Sequence, residues 1–245
     1  MLTLRYTEWD GTQQVRLSPE AVFEKFAELL SYTDDAQQAR DWLLRHGFEN
    51  DSLQVLGLDE FLEMLREEMR NRQSQYNLDR ALDRLREQLE EALDEERATR
   101  GDGDPFAGLS RQLSEALAQL EGHEFADAGA RAIYDELAEE IDDIRRVEDF
   151  QRQFGDLFQG PESLDYEEAL ELIREMESLK RIEEDLVSGN LQHVELQDLG
   201  ELLGDRAAQD FGNLRQVVLL LDNSGYLTQR EGRVKLSPKL SLIHI

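Results

Sequence analysis

"VVLLLDNSG", residues 217–225, admits two folds. Read as a strand, the aliphatic run would be buried in a sheet and would deliver Asp222 and Ser224 to a loop, the opening of an Asp-x-Ser-x-Ser metal site built on hard oxygen ligands. Read as a helix, the same run carries the inward positions of a longer period: Phe211, Leu214, Val217, Val218 and Leu221 recur at three- and four-residue steps. Two facts favour the helix. The third position of the metal pattern is Tyr226, not Ser, and the 23 residues after Asp222 are too few for the other loops of such a site. We therefore expect a helix over 205–222, closed by Gly204 on its N-terminal side, with no metal at Asp222.

Outward from it, "GYLTQREGRVKLSP", residues 225–238, changes period to alternation about a polar tip, the pattern of a β-hairpin. Tyr226, Leu227, Val234 and Leu236 are its candidate packing face. With the brief helix expected at 198–203, the order is helix, turn, helix, hairpin, that of a winged helix-turn-helix. A DNA-reading wing needs a basic recognition helix and a basic tip. Arg230, Arg233 and Lys235 supply a weakly basic tip. The preceding helix sets Asp205, Asp210 and Asp222 against Arg206 and Arg215, which suits a groove lined by phosphates poorly. The hairpin residues Tyr226, Leu227, Arg230, Arg233 and Lys235 are thus read as part of a winged-helix-like protein-interaction or structural unit, and as its candidate interaction residues.

The rest of the chain reads as helices. Near the start, Leu2–Tyr6 and Gln14–Leu17 flank Trp9-Asp10-Gly11-Thr12, an Asp-Gly turn that predicts an N-terminal hairpin. Ser18-Pro19-Glu20 caps and starts a helix with Phe23, Phe26, Ala27 and Leu30 inward. Asp34 or Asp35 opens a second, with Trp42 and Leu43 inward and Gly47 as its stop. A third covers 58–72 with Phe61, Leu62, Leu65 and Met69 on one face. Leu78, Leu82, Leu85, Leu89, Ala92 and Leu93 either form a short coiled-coil seam or pack within their own domain. Gly101–Pro105 is a loop or domain joint. Leu109 to Leu120 marks a helix, Ile133 to Ile144 another, and Ser163 is expected to cap one running to Val187. Val15-Arg-Leu-Ser-Pro19 and Val234-Lys-Leu-Ser-Pro238 echo each other as strand-to-helix punctuation.

Composition bounds the function. The 245 residues carry 55 acids against 27 bases, a net charge of −28, which repels phosphate backbones and anionic membranes. No Cys is present, so disulfides, thiol nucleophiles and thiolate zinc sites are excluded. The first ten residues lack the apolar core of a signal peptide, and the longest aliphatic run falls far short of a membrane span. A cytoplasmic location is expected. Asp102 and Asp104 begin like a calcium loop, but Leu113 stands where the bidentate Glu belongs. There is no Glu-x-x-His pair, no second His to complete a zinc-protease helix at His123-Glu124, no Gly-Lys-Ser/Thr and no Gly-x-Ser-x-Gly. No catalytic, cofactor-binding or metal residue is assigned.

Three stretches together resemble a known family: "RYTEWDGTQ" at 5–13, residues 57–89 with "YNLDRALDRLREQLEEAL", and "SLDYEEAL" at 163–170 leading through "DLGELLGDRAAQDF" to "NSGYLTQREGRVKLSP". The chain is similar to the helical region that precedes the von Willebrand factor A (VWA) domain in large bacterial VWA domain-containing proteins, themselves similar to the integrating subunit of magnesium chelatases. The resemblance implies a missing VWA domain after the hairpin and a MoxR-type AAA+ ATPase as working partner. It transfers no site residue. Residues 240–245, "LSLIHI", are similar to read-through of a sequencing adapter and are expected not to be native. A stop codon after Ile245 in intact genomic DNA would refute this.

These readings predict a mainly α protein, a helical bundle with an N-terminal β-hairpin and a C-terminal winged-helix-like unit. The expected organisation is hairpin plus helical domain at 1–100, a helical region at 105–187, the winged-helix-like unit at 190–239 and the tail at 240–245. The expected function is a non-enzymatic, protein-binding accessory region. The alternative is a winged-helix DNA-binding regulator.

Overall fold

A computed structural model describes residues 17–50, 53–101, 106–223, 227–230 and 233–236. The fold is mainly α: ten helices among the described residues, with three short two-stranded pairings. It divides into two compact units, residues 66–181 and, around them in sequence, 17–65 with 182–236. The division falls within two of the helices. Gly101, at the expected joint, lies inside the continuous unit.

In the discontinuous unit, α1 (Pro19–Thr33) starts at Ser18, whose hydroxyl accepts from Ala21 N. It ends at Asp34, held in the left-handed region at φ 52°, which reverses the chain into α2 (Ala36–His46). Asp35 accepts from Gln37 N and Gln38 N, so of the two candidate aspartates it is the cap. Gly47 stops α2. A hairpin that the sequence did not announce follows, β1 (Phe48–Asn50) with β2 (Leu53–Val55). Gly47 and Gly57 close its base, where neither has room for a Cβ: one on Gly57 would lie 2.1 Å from the Arg45 carbonyl oxygen.

The start of α3 (Leu58–Gln75) and the end of α8 (Tyr166–Val187) belong to this unit, with α9 (Leu196–Leu203) and α10 (Asp205–Asn223). Residues 217–221 are helical, and Phe211, Leu214, Val217 and Leu221 are buried. Phe211 meets Phe61 edge-on at 5.2 Å. Beyond α10, β5 (Leu227–Arg230) pairs antiparallel with β6 (Arg233–Leu236). The elements expected from Asp198 onward, helix, turn, helix and hairpin, are present in that order.

In the continuous unit, β3 (Tyr76–Asn77) leads to α4 (Asp83–Arg100), then α5 (Leu113–Gln119), α6 (Ala128–Glu139) and α7 (Ile141–Phe154). A 3-10 turn, Gly155–Leu157, and β4 (Glu162–Ser163) bring the chain to α8. β4 runs parallel to β3, Tyr76 opposite Glu162. Leu78, Leu82, Leu89 and Leu93 are buried in this unit's core with Leu113, Leu117, Ile144, Phe158 and Ile173. The leucine spacing at 78–93 therefore serves packing within the chain, the second of its two readings.

Four local expectations are corrected. Trp42, expected inward, is 42% exposed and stacks on His46 at 4.6 Å. In α1, Val22 is buried while Phe23 is only half-buried. The helix expected across 133–144 breaks at Glu140: α6 ends at Glu139 and packs mainly on α4, and α7 starts at Ile141 and packs on α5. Ser163 is not the cap of α8; it is held in β4, and Asp165 and Glu168 cap reciprocally, each side chain accepting from the other's backbone N–H at 3.0 Å. The predicted N-terminal hairpin, Tyr226 and residues 240–245 lie outside the described residues.

Candidate functional site

Two glutamates on apolar helix faces could be mistaken for a catalytic pair. Glu96 continues the stripe of Leu89, Ala92 and Leu93 on α4 and is fully buried. Its carboxylate accepts from Ala126 N at 2.9 Å, Asp127 N at 2.8 Å and Arg100 Nε at 2.7 Å. His123 Nε2 lies 3.5 Å away. Burial pushes the Glu96 carboxyl up, but the two backbone amides and the Arg100 guanidinium outweigh it and bring it down to about 2. An anion at neutral pH, it fixes the start of α6, where Asp127 in turn accepts from Gly129 N and Ala130 N.

Glu148 on α7 does the same for α5. The N-cap residue of α5, Gln112, makes no side-chain cap bond. Glu148 accepts instead from Leu113 N at 2.6 Å and from the Ser114 hydroxyl. Both buried carboxylates therefore hold helix starts, where an anion also opposes the positive end of the peptide dipoles. Tyr166 is pushed upward by burial first and by the neighbouring Glu140 carboxylate second, so its phenol stays protonated. Among the described residues no group of three or more metal-ligating side chains occurs.

What the continuous unit does present is a groove of about 590 Å³. The helical period sets Asp142, Arg146, Asp149, Phe150 and Phe154 on one face of α7, and Ile173, Met176, Glu177 and Lys180 on one face of α8. Met69 and Gln73 from α3 close one side, and Leu157 from the 3-10 turn stands beside them. Phe158 and Ile173 are buried beneath; Met69, Phe150, Phe154 and Met176 are half-buried; Leu157 is 54% exposed. The rim is ionic. Arg146 grips both oxygens of Glu177, Nε to Oε1 at 3.3 Å, and Arg145 reaches Asp142 at 3.2 Å.

The discontinuous unit has a more polar hollow of about 1100 Å³ between α2, the start of α3, the turn after α8 and α10. Arg40 crosses it to Asp222 at 3.2 Å. The carboxylate considered for a metal thus faces a guanidinium. Of the expected interaction residues, Leu227 lies opposite Leu236, Lys235 opposite Thr228, and Arg230 opposite Arg233 at the turn end of the hairpin. They are brought together with one another, on a different unit from the groove. No family model, curated protein or solved structure matches the chain.

Sequence reasoning missed the groove, since its floor comes from three helices and a turn. It also missed Glu96 and Glu148, although each sits on an otherwise apolar stripe and could have been found there.

Proposed function

We propose that this chain is a non-enzymatic, protein-binding region of a VWA-type protein that works with a MoxR-type AAA+ ATPase in the cytoplasm. The observation that supports it best is the open groove of α7 and α8, with a floor of Met, Phe and Leu and a rim of paired charges. An apolar core with a polar rim is the anatomy of a protein interface. The buried carboxylates support the same reading, because each already accepts from helix-start amides and is poorly placed for acid–base work. Among the described residues no helix is long and apolar enough to cross a membrane.

Capture of the ATPase from a native lysate on the immobilised chain tests the partner. Retention at low salt, reduced when Leu157 is replaced by Asp, is expected. No retained ATPase removes that partner.

The order of α9, α10 and the β5–β6 hairpin favours a second reading, a winged helix on DNA. Against it, Arg215 of α10 donates to the Val194 carbonyl at 3.3 Å and to Gln192 at 3.0 Å, which turns its guanidinium from solvent phosphate. A gel shift that depends on Arg230, Arg233 and Lys235 and weakens steeply with salt would favour DNA.

A further inference from the structure

We propose that the α7–α8 groove binds an amphipathic helix from a basic protein segment, its apolar stripe on the groove floor and its Lys and Arg side chains toward the surrounding acidic surface. This rests on the protein-binding reading above and names the chemistry of what is bound.

The floor argues for a helix. Met69, Phe150, Phe154, Leu157 and Met176 form an apolar trough between two helices, the shape that accepts side chains spaced at i, i+3, i+4 and i+7. Two of the chain's four methionines lie in it. An unbranched, polarisable thioether adapts to differing apolar side chains, which suits a surface that receives a partner better than one packed once during folding.

The charge argues for a basic helix. Residues 66–181 carry 32 acidic against 16 basic side chains. At the rim, Asp142, Asp149 and Glu177 stand against Arg145, Arg146 and Lys180, with Arg145 and Arg146 paired to Asp142 and Glu177, so the rim itself is balanced and the acidic excess comes from the rest of the unit. A cationic helix meets little repulsion there and gains attraction from the field around it. An acidic helix, an anionic membrane or a second copy of this chain, itself at −28, meets the opposite field.

The probe is a fluorescein-labelled synthetic peptide of about 18 residues, long enough for five turns, with Leu on one helical face and Lys on the other. Two companions control it: the same peptide with Glu for Lys, and a scramble of the Leu–Lys composition without an apolar face. Anisotropy titration of the whole chain at about 0.15 M salt, where exposed charges are screened beyond about 8 Å, is expected to show binding of the Lys peptide. Both companions should bind at least about tenfold more weakly. Leu157→Asp and Met176→Asp should each weaken the Lys peptide at least about tenfold, the scale of a central interface residue, although each adds a negative charge. Circular dichroism checks that the variants fold, and Leu157, being exposed, keeps the test decisive if Met176→Asp does not.

Binding that ignores Leu157→Asp, or that is equal for the scramble, means charge adhesion alone and overturns the proposal. Equal binding of the Glu peptide overturns the basic class while leaving a helix-binding groove. No binding of any peptide overturns the helix as occupant, and the protein-binding reading then rests on capture of the ATPase.

Discussion

At the scale of single residues, Glu96 and Glu148 organise the continuous unit. Glu96→Gln keeps the shape but turns an NH₂ toward donors at one oxygen and removes the charge facing Arg100. Leaving buried partners without their anion costs about 3 kcal/mol, to be read as a shifted urea midpoint. Its pH dependence follows from the depressed carboxyl. The folded value of about 2 lies below the ordinary 4.5, so the stabilisation is complete above 4.5 and is lost as pH falls toward 2. The stability difference between the parent and Glu96→Gln should accordingly shrink across that window, and a difference that is flat from pH 6 to pH 2 would contradict the assignment. Glu148→Ala strips both acceptors from the start of α5 and should cost about 2 kcal/mol. Ser114→Ala removes one of the two donors without orphaning the other and should cost less. Periodicity could have marked such residues as acids on an apolar stripe, but not which amides they would meet, because those amides lie some thirty residues away in sequence.

At the scale of elements, the parts legible from sequence were those with a long period. The helix through 217–221 follows from Phe211, Leu214, Val217 and Leu221 alone. The β1–β2 hairpin was not legible: its strands are three residues each and no Asn-Gly or Asp-Gly turn joins them. Nor was the β3–β4 pairing, which joins residues far apart in the chain through two positions and one close backbone approach. There a Cβ on Gly160 would fall 2.1 Å from the Gln75 carbonyl. Gly160→Ala and Gly57→Ala should each destabilise by about 1–3 kcal/mol, the cost of forced overpacking, whereas Gly189→Ser, in open space, should test only the backbone strain of its φ of 75°. Thermal melts of the three variants rank them, and Gly160→Ala matching the parent would mean that β4 can shift away from α3 without penalty.

At the scale of the whole molecule, the acidic excess and the absence of any long apolar helix among the described residues were readable from composition, while the groove required the fold. Because Leu157 is exposed, Leu157→Asp should change stability only within the small range of surface changes, about 0.5 kcal/mol, even as it reduces capture of the proposed partner; a large loss of stability would mean that its side chain packs in the core. The two-part origin of the discontinuous unit has a consequence for biosynthesis. Arg40 and Asp222, which meet at 3.2 Å, are 182 positions apart. On a ribosome, residues 66–181 emerge as an unbroken stretch with every partner of their own core, and can compact at once. Phe61 must instead wait for Phe211, which it meets edge-on, and α1 for α10, against which it packs. During that interval the nascent polypeptide carries uncovered apolar surface, the species that chaperones hold and that arrested translation would strand.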